Sequence, residues 1–508
     1  MVFLVFGSQQ VRNIRQVWNN LNVFTANNRV SNLSQLGLTT QTNPRTNLTG
    51  YLFDGLTFVA TAQGNAQLGL SVTALGDING DGLADFMIGA PGAFDATGLV
   101  PNSGRAYLVY GSRTINMNRL TQQVNFDNLG PNDPAVVTFT TTSGGARLGQ
   151  TVAGVGGVLA DGKQDVAIGA PSFMGGSGAV FVDAGTNLQT PVTRTIVANA
   201  IGTTAQPGLV LQGTAGENAG SAVSRAGDFD GDGTADLLVG SPAAATNTGR
   251  AYLIYGGSNL ITTNGQPLLL SQIGTSTLPG ASFAGTASGD RTGFAVNSAG
   301  DFNGDGRGDI MIGSPGWMTG QGRVDLIYGR TPRTQGNFTL DALGTSPFTF
   351  AEFQGDLTAG TMPMAGYAMS PVRDMNGDGL NEIVIGSPGF NSGSGAAYLI
   401  PGNPNPLTGI LQLSQNEQAP IFGITFVTSQ PAAPNFVGAA VSGNLFSPQV
   451  DGNNIGDVII GAPGFSLSAA FQFTGAAFLL QGEFLGLRVP PRQPAITSDL
   501  AVGTPPFF

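Results

Sequence analysis

The sequence predicts an all-β protein built as a β-propeller, and three observations lead to this fold class. A unit of about 73 residues recurs six times along the 508-residue chain, which indicates a repeat architecture. Each unit contains short runs rich in Val, Ile, Leu, Tyr and Phe, bounded by Gly, Pro and Asn, as is typical of strands in antiparallel hairpins. Gly accounts for 78 residues, roughly twice its usual share of about 7%, and its periodic placement indicates many tight turns. About four strands per unit correspond to one propeller blade, and blades repeated around an axis bury a core that one blade cannot bury alone.

The repeat is defined by an acidic loop with fixed neighbours. A Gly in an alternating segment precedes each loop, a β-rich run ending in Gly-[Ala/Ser]-Pro follows it, and another Gly then introduces a strand, as in residues 249–256. The acids that close the six loops are Asp85, Asp165, Asp236, Asp309, Glu382 and Asp457, at spacings of 80, 71, 73, 73 and 75 residues. The blades are therefore expected to centre on residues 77–85, 157–165, 228–236, 301–309, 374–382 and 449–457.

Four of the loops share the pattern D-x-[DN]-G-D-G-x-x-[DE]. Positions 1, 3, 5 and 9 supply side-chain oxygens, position 7 can offer a backbone carbonyl, and the two glycines permit a sharp reversal. Oxygen donors on a flexible loop suit Ca²⁺, whereas Mg²⁺ requires a tighter octahedron, and the absence of His and Cys argues against zinc and copper. We therefore expect about four Ca²⁺ sites. Their predicted ligands are Asp77, Asn79, Asp81, Leu83 and Asp85; Asp228, Asp230, Asp232, Thr234 and Asp236; Asp301, Asn303, Asp305, Arg307 and Asp309; and Asp374, Asn376, Asp378, Leu380 and Glu382.

The other two loops have lost ligands. In unit two, Gly157 and Leu159 occupy the first two ligand positions, so no metal is expected there. In unit six, Gln449 stands at position 1, and binding is expected to be weak or absent. Asp, Asn and Gly can also form polar turns that bind nothing, but four copies at matched positions between matched strands favour a metal-binding role.

Composition excludes several functional classes. Without His or Cys the chain can form no Ser-His-Asp triad, no cysteine nucleophile and no disulfide. The formal net charge is −11 and the basic residues do not cluster, so nucleic acid and anionic membranes are not expected partners. No apolar run reaches the roughly 18 residues of a membrane-spanning segment, and the opening residues lack the basic start of a signal peptide.

The ordered combination of these motifs resembles the FG-GAP repeat, which is the unit of the integrin α-subunit propeller and of many bacterial surface proteins. The resemblance extends over nearly the whole chain. It departs from the family in the Phe of the Phe-Gly pair, which is replaced here by Leu68, Leu148, Ala219, Thr292, Ala365 and Val437. The resemblance implies a seven-bladed propeller with calcium in the loops between the first two strands of certain blades.

Six units are complete, and the termini supply a candidate for the seventh. Residues 499–505 match the form of 236–242, and residues 2–7 match the form of 252–256. We therefore expect a split seventh blade from about 490–508 plus 1–7, which would close the ring without exposing sheet edges. Alternatively, the chain is an excerpt of a longer gene whose ends fall within a repeat. A rim insertion is expected within residues 8–63, either as a binding element or as an inert excursion.

The resemblance implies a noncatalytic module that is extracellular or on the cell surface and mediates adhesion to, or recognition of, a protein or glycan. The propeller would be monomeric or part of a larger chain. Two alternatives remain open: a scaffold domain of a larger secreted protein, and a carbohydrate-active enzyme, for which a pair of carboxylates would suffice. The acids available for such an enzyme outside the loops include Asp54, Glu217, Asp290, Asp325, Glu352 and Asp356. Residues 307–309 spell Arg-Gly-Asp, the tripeptide that integrins recognise, but Asp309 is expected to face a metal rather than a partner.

Overall fold

The structure of the chain is a computed structural model. The structure describes residues 2–5, 41–42, 49–50, 55–60, 65–95, 97–112, 123–130, 133–356, 362–428, 434–443, 455–465 and 475–480. In these residues the regular structure is almost wholly β, as the sequence predicts. The strands are β1 (Val2–Val5), β2 (Gln41–Thr42), β3 (Thr49–Gly50), β4 (Gly55–Val59), β5 (Val72–Gly76), β6 (Asp85–Ala90), β7 (Arg105–Val109), β8 (Gln123–Asn125), β9 (Val136–Thr140), β10 (Thr151–Gly156), β11 (Asp165–Ala170), β12 (Ala179–Asp183), β13 (Arg194–Val197), β14 (Thr203–Gln212), β15 (Ala222–Gly227), β16 (Asp236–Ser241), β17 (Arg250–Ile254), β18 (Thr262–Asn264), β19 (Leu268–Leu269), β20 (Gly280–Ala284), β21 (Ala295–Gly300), β22 (Asp309–Ser314), β23 (Arg323–Ile327), β24 (Gly336–Thr339), β25 (Phe350–Gln354), β26 (Ala368–Val372), β27 (Glu382–Ser387), β28 (Ala396–Ile400), β29 (Gly409–Gln412), β30 (Ile424–Val427), β31 (Ala440–Ser442), β32 (Val458–Ala462) and β33 (Ala476–Leu480).

The repeating unit is an antiparallel sheet of four strands in chain order. In blade one, β5 pairs with β6, β6 with β7 and β7 with β9. A strand from the next blade, β13, then adds to β9 in parallel and covers its edge, which would otherwise be open to pairing with another chain. Blades two to six are β10-β11-β12-β14, β15-β16-β17-β20, β21-β22-β23-β25, β26-β27-β28-β30 and β31-β32-β33.

The described residues therefore form six blades, and the expectation of seven is not met in this part of the chain. The N-terminal strand β1 does pair with another strand, but its partner is β4, and β4 in turn pairs in parallel with β8. Strand β4 and the short β2-β3 ladder fall inside the stretch expected to hold a rim insertion. Residues 490–508, predicted to complete a split blade and close the ring, lie outside the described residues. A complete blade needs its loop hairpin, and no seventh loop hairpin is present among the described residues.

The hydrophobic core lies between neighbouring blades. One cluster joins Val180 and Leu209 of blade two to Val239 and Tyr252 of blade three, and similar clusters join the successive pairs up to blades five and six. Because both faces of a blade are covered, the second strands β11, β16, β22 and β27 are buried throughout. This explains why they appear in the sequence as continuous apolar runs rather than alternating ones.

Glycine pairs allow adjacent blades to approach closely. Within blade three, the amide of Gly220 donates to the carbonyl of Gly240 at 3.1 Å. A Cβ on Gly240 would lie only 2.1 Å from the carbonyl oxygen of Gly293 in blade four. Gly240, in the Gly-[Ala/Ser]-Pro turn of blade three, and Gly293, before the first strand of blade four, thus contact each other where neither has room for a side chain.

The first strands surround a channel of about 1140 Å³. Each blade contributes one residue at an equivalent position to its wall: Thr73, Ala153, Ser224, Asn297, Ser370 and Ser442.

Short helical turns follow the second strands of four blades, at the end away from the acidic loops. They are α1 (Phe173–Gly176), α2 (Ala244–Asn247), α3 (Trp317–Gly320) and α4 (Phe390–Gly393). Single 3₁₀ turns lie at Gly185–Leu188, Ala198–Ala200, Ser258–Leu260, Leu270–Gln272, Leu340–Thr345 and Leu413–Gln415. Within the described residues, no helix has both the length and the apolar character needed to span a membrane.

Candidate metal centre

The acidic loops connect the first and second strands, at the same end of every blade. In blades one to four, the register between these strands shifts at the last residues before the loop, as between Arg225 and Gly227 in blade three. Such a bulge bends the strand locally. Because each predicted loop joins the first strand of a blade to the second, all four lie on one face of the propeller, opposite the short helical turns.

The aspartate at position 1 organises each loop by accepting backbone amides. In loop five, Asp374 Oδ1 accepts from Gly377 and Asp378 at 2.6 and 3.2 Å, and Oδ2 accepts from Gly379 at 2.8 Å. The other three predicted loops repeat the bonds to positions 5 and 6. This wrapping needs a positive φ at both glycines, which is +81° at Gly377 and +88° at Gly379, and only glycine adopts such angles without strain.

Positions 3 and 5 are linked in the same way in three loops. In loop one, the Asn79 amide Nδ2 donates to Asp81 Oδ2 at 3.0 Å, while Asn79 Oδ1 accepts the Asp81 amide at 3.1 Å. The amide of position 7, Leu83, then donates to Asp81 Oδ1 at 2.8 Å. Loops four and five repeat all three bonds.

The acid at position 9 is buried and ties the loop to the third strand. In loop four, Asp309 Oδ2 accepts the amide of Phe302 at 2.9 Å, and Oδ1 accepts the amide of Gly329, just after β23, at 2.8 Å. Burial raises the pKa of these carboxyls against the lowering effect of the backbone bonds: Asp85 to about 6, Asp165 to about 7, and Asp236, Asp309 and Glu382 to about 8. An anion at this depth is costly without a compensating cation.

Loop five fits a divalent cation best. Oxygens of Asp374, Asp378 and Glu382 lie within 4.8 Å of one another. Glu382 is longer by one methylene than the Asp of the other loops; its Oε2 accepts the amide of Met375 at 2.6 Å, and its Oε1 is buried with no hydrogen-bond partner. An all-oxygen donor set with a buried, unsatisfied carboxylate oxygen suits Ca²⁺.

Loop three also gathers three carboxylates. Oxygens of Asp228, Asp230 and Asp236 lie within 4.8 Å of one another. Of the predicted loops, only three and five reach this spacing. In loops one and four, the carboxylates of positions 1, 5 and 9 are farther apart, and position 3 carries the amide oxygen of Asn79 or Asn303.

The degenerate loop of blade two is satisfied by its own backbone. Asp161 accepts the amides of Lys163 and Thr186, and Asp165 accepts those of Leu159 and Gly185. The first positions of the sixth loop, 449–454, lie outside the described residues.

The Arg-Gly-Asp tripeptide is part of loop four rather than a free motif. The Asp309 side chain is fully buried, and both of its oxygens accept backbone amides. Arg307 Nη1 forms an ion pair with Asp305 Oδ2 at 2.9 Å. The acidic end of the tripeptide is thus inaccessible to a partner protein.

One residue at the site could not be identified from the sequence. Arg333 lies about 100 residues from loop three, yet its Nε pairs with Asp230 Oδ2 and its Nη2 with Asp232 Oδ2. The sequence contains a single signal for it: position 3 of this loop is Asp, whereas the other three predicted loops have Asn.

Several of the acids outside the loops are engaged in turns or ion pairs. Glu217 accepts the Thr214 amide and the Tyr252 hydroxyl, and Asp290 accepts two amides of its own turn. Asp54 lies outside the described residues.

Asp325 and Glu352 face each other as cross-strand partners. Both are buried, and Arg323 contacts them at 3.0 and 3.5 Å. Burial leaves no room for a sugar between them, so this pair does not favour glycoside hydrolysis.

Backbone hydrogen bonds connect loops three, four and five to the following blade. The carbonyl of Asp228 in loop three accepts the amide of Gly308 in loop four at 2.8 Å, and the carbonyl of Phe229 accepts the amide of Arg330 at 2.8 Å. Between blades five and six, the carbonyl of Asp374 accepts the amide of Gly456 at 3.1 Å. The loops thus form part of the junctions between blades.

Comparison with known proteins identifies the repeat. The FG-GAP repeat matches residues 69–109, 219–254, 294–327 and 365–400, each of which contains one of the four predicted loops. Integrin alpha-PS2 of Drosophila melanogaster is 25% identical over 259 residues, which cover 49% of this chain and 15% of that protein. Integrin alpha-5 of Xenopus laevis is 32% identical over 203 residues, covering 38% and 16%, and integrin alpha-8 of Homo sapiens is 27% identical over 248 residues, covering 49% and 20%.

The matched region thus spans a fifth or less of each of these relatives. Four repeats at the expected positions, together with the integrin α relatives, agree with the resemblance that the sequence motifs indicate. The chain therefore contains four FG-GAP repeats and is similar in them to the integrin α-subunits.

Proposed function

We propose that the chain is a noncatalytic, calcium-stabilised β-propeller that acts in adhesion or recognition outside the cell or at its surface. Glu382 carries the calcium part of the proposal. Its buried Oε1 lacks a hydrogen-bond partner, and one oxygen of its carboxylate lies within 4.8 Å of carboxylate oxygens of Asp374 and Asp378. Asp374, Asn376, Asp378, the Leu380 carbonyl and Glu382 would hold the ion, which would supply positive charge to the loop rather than chemistry on a substrate.

The role of calcium in this proposal is mechanical. Loops three, four and five each contribute a carbonyl to the next blade, as in the bond from Gly308 to Asp228, so a loop that is held in shape also holds the junction. Millimolar extracellular calcium would keep even moderately weak loops of this kind filled. The extracellular placement rests on this argument and on the likeness to integrin α-subunits.

The opposite face of the propeller offers a surface for a partner. Met318, in the turn after β22, is 56% exposed, and Met362, in the following connection, is 63% exposed. The two belong to adjoining segments, because a Cβ on Gly320 would lie 3.0 Å from Met362 Cβ. Exposed methionines adapt to varied apolar surfaces, which favours a protein ligand over a glycan.

Calcium binding is tested by isothermal titration calorimetry and by melting with and without EDTA. We expect about four sites, and a lower melting temperature in EDTA. Glu382→Gln should remove or weaken one site, whereas Asp161→Asn, in the degenerate loop, should leave the stoichiometry unchanged. A chain that binds no calcium and melts identically in chelator would refute this part of the proposal.

Ligand recognition is tested separately on arrays of extracellular-matrix proteins and of glycans, in calcium. Binding to a protein that is weakened by the pair Met318→Ser and Met362→Ser would support the proposed face. Val192→Ser, an exposed apolar residue in another connection, is the matched control. Reproducible product formation from a panel of polysaccharides would instead support an enzyme and overturn the noncatalytic assignment.

A further inference from the structure

Loop three carries one more acid than the other predicted loops. It has four carboxylates, at Asp228, Asp230, Asp232 and Asp236, whereas the others have three and an Asn at position 3. In those loops the Asn Nδ2 donates to Oδ2 of position 5, at 3.0, 3.2 and 3.0 Å. Asp230 cannot make this bond, because a carboxylate has no N–H. Two adjacent carboxylates would repel each other instead.

Arg333 takes the place of the missing N–H groups. Its guanidinium bridges Oδ2 of Asp230 and Oδ2 of Asp232, the atoms that correspond to the Asn Nδ2 and its acceptor in the other loops. The Oδ1 atoms keep the common pattern, since Asp230 Oδ1 accepts the amide of Asp232 at 3.1 Å and Asp232 Oδ1 that of Thr234 at 2.8 Å. The planar guanidinium is suited to pairing with two carboxylates at once.

The segment that carries Arg333 is fixed on the loop by further contacts. Thr331 Oγ1 donates to the Asp230 carbonyl at 2.7 Å, and the Tyr255 hydroxyl donates to the carbonyl of Thr334 at 2.6 Å. The Arg333 Cζ lies 5.1 Å from the centre of the Tyr255 ring. Arg333 follows the third strand of blade four, so the bridge joins blades three and four.

We infer that Arg333 is a resident counter-ion that replaces the Asn of the other loops and makes the junction of blades three and four largely independent of divalent cation. The guanidinium cancels the fourth negative charge and leaves loop three with the same net charge as loops one and five. Loop five has an unsatisfied Glu382 oxygen, and no arginine bridges its acids in the described residues. The loops therefore differ in how much they gain from calcium, an inference that rests on the proposed function only in its calcium part.

A double-mutant cycle in EDTA tests the counter-ion role without calcium. Arg333→Gln should lower the urea midpoint in the Asp230 background and have little effect in an Asp230→Asn background, where the Asn pattern is restored. Arg330→Gln is the matched control: it removes the same charge three residues away, where Nη1 donates to the Pro347 carbonyl instead. Equal effects of Arg333→Gln in both backgrounds would overturn the inference.

Calcium titrations of the same variants test whether Arg333 reduces what loop three gains from calcium. Arg333→Gln should tighten calcium binding at loop three on the order of tenfold, because a positive charge at close range opposes a divalent ion. The substitution should also enlarge the difference in melting temperature between calcium and EDTA. Unchanged or weaker binding in a folded variant would overturn this part. If the wild-type protein bound no calcium at all, the proposed function would fail while the result in EDTA still decided the role of Arg333. Arg333→Lys, which keeps the charge, provides a folded comparison if the Gln variant does not fold.

Discussion

The buried acid Asp325 should make the protein less stable at neutral pH than at pH 4, and Asp325→Asn should remove that loss. Asp325 is fully buried in β23, at the position where blades one, three and five carry Tyr107, Tyr252 and Tyr398. Its Oδ2 accepts from Arg323 Nε at 3.0 Å, whereas its Oδ1 has no hydrogen-bond partner. Arg323 also faces Asp341 and Glu352, so one cation serves three carboxyls.

The size of this loss of stability follows from the pKa of Asp325. Burial raises the pKa of Asp325 from 3.8 to about 7, although Arg323 lowers it. Between these values the folded state binds more protons than the unfolded state, so stability falls as pH rises from about 4 to about 7, and the loss is complete above pH 7. About three pKa units at roughly 1.4 kcal/mol each give a ceiling of about 4 kcal/mol. Because the substitution also weakens the pairing with Arg323, we expect a gain of about 2 kcal/mol at pH 8 and almost none at pH 4.

Urea unfolding at pH 4 and pH 8 in saturating calcium measures this difference. The comparison of the variant with the wild type at each pH cancels the titration of the loops, which both proteins share. A variant that is less stable at pH 8, or one that gains equally at both pH values, would show that the carboxylate is accommodated without cost and that the reasoning from burial is wrong.

Three further predictions concern the same structure. Arg323→Gln leaves its three acidic partners without a cation and should lower the free energy of unfolding by about 3 to 5 kcal/mol in urea titrations, because a broken buried pair leaves uncompensated charge; near-wild-type stability would contradict this. Gly240→Ala places a Cβ 2.1 Å from the Gly293 carbonyl oxygen, so the blades must separate and stability should fall by about 3 kcal/mol or more. Gly344→Ala, with open space around it, should change stability by less than about 0.5 kcal/mol and is the control. Gly379 has open space around it but a φ of +88°, so Gly379→Ala should introduce a backbone strain of roughly 1 to 2 kcal/mol. We expect a lower melting temperature and, in calorimetry, weaker calcium binding.

The architecture of the repeat was accessible from the sequence because it depends on local and periodic signals. The loop pattern, the Gly-[Ala/Ser]-Pro turn and the continuous apolar run of each second strand recur at nearly constant spacing. They correspond to the strand order found in the described blades. The blade count was less accessible, because a split blade depends on pairing between distant strands. The N-terminal strand β1 pairs with β4, at residues 55–59, within a stretch where no repeat motif could be recognised.

The chemistry of the site was predicted only in part. The spacing of acids and glycines in nine residues is local, so the candidate ligands, such as Asp374 and Glu382, could be named from the sequence. Whether their oxygens meet depends on how the loop wraps around position 1. Three carboxylates come within 4.8 Å of one another in two loops: loop three, which has the additional Asp230, and loop five, which has the longer Glu382.

The sequence by itself determined the repeated unit, its likeness to the FG-GAP repeat and the loops that are candidates for holding a cation, because each of these is encoded within one repeat. Only the tertiary structure decided which charges surround each loop. Arg333 reaches loop three from about 100 residues away, and Glu352 reaches Arg323 from the neighbouring strand β25. The physical reason is that blades bury their contacts against the next blade, so the charge balance of a loop depends on residues that a local pattern does not contain.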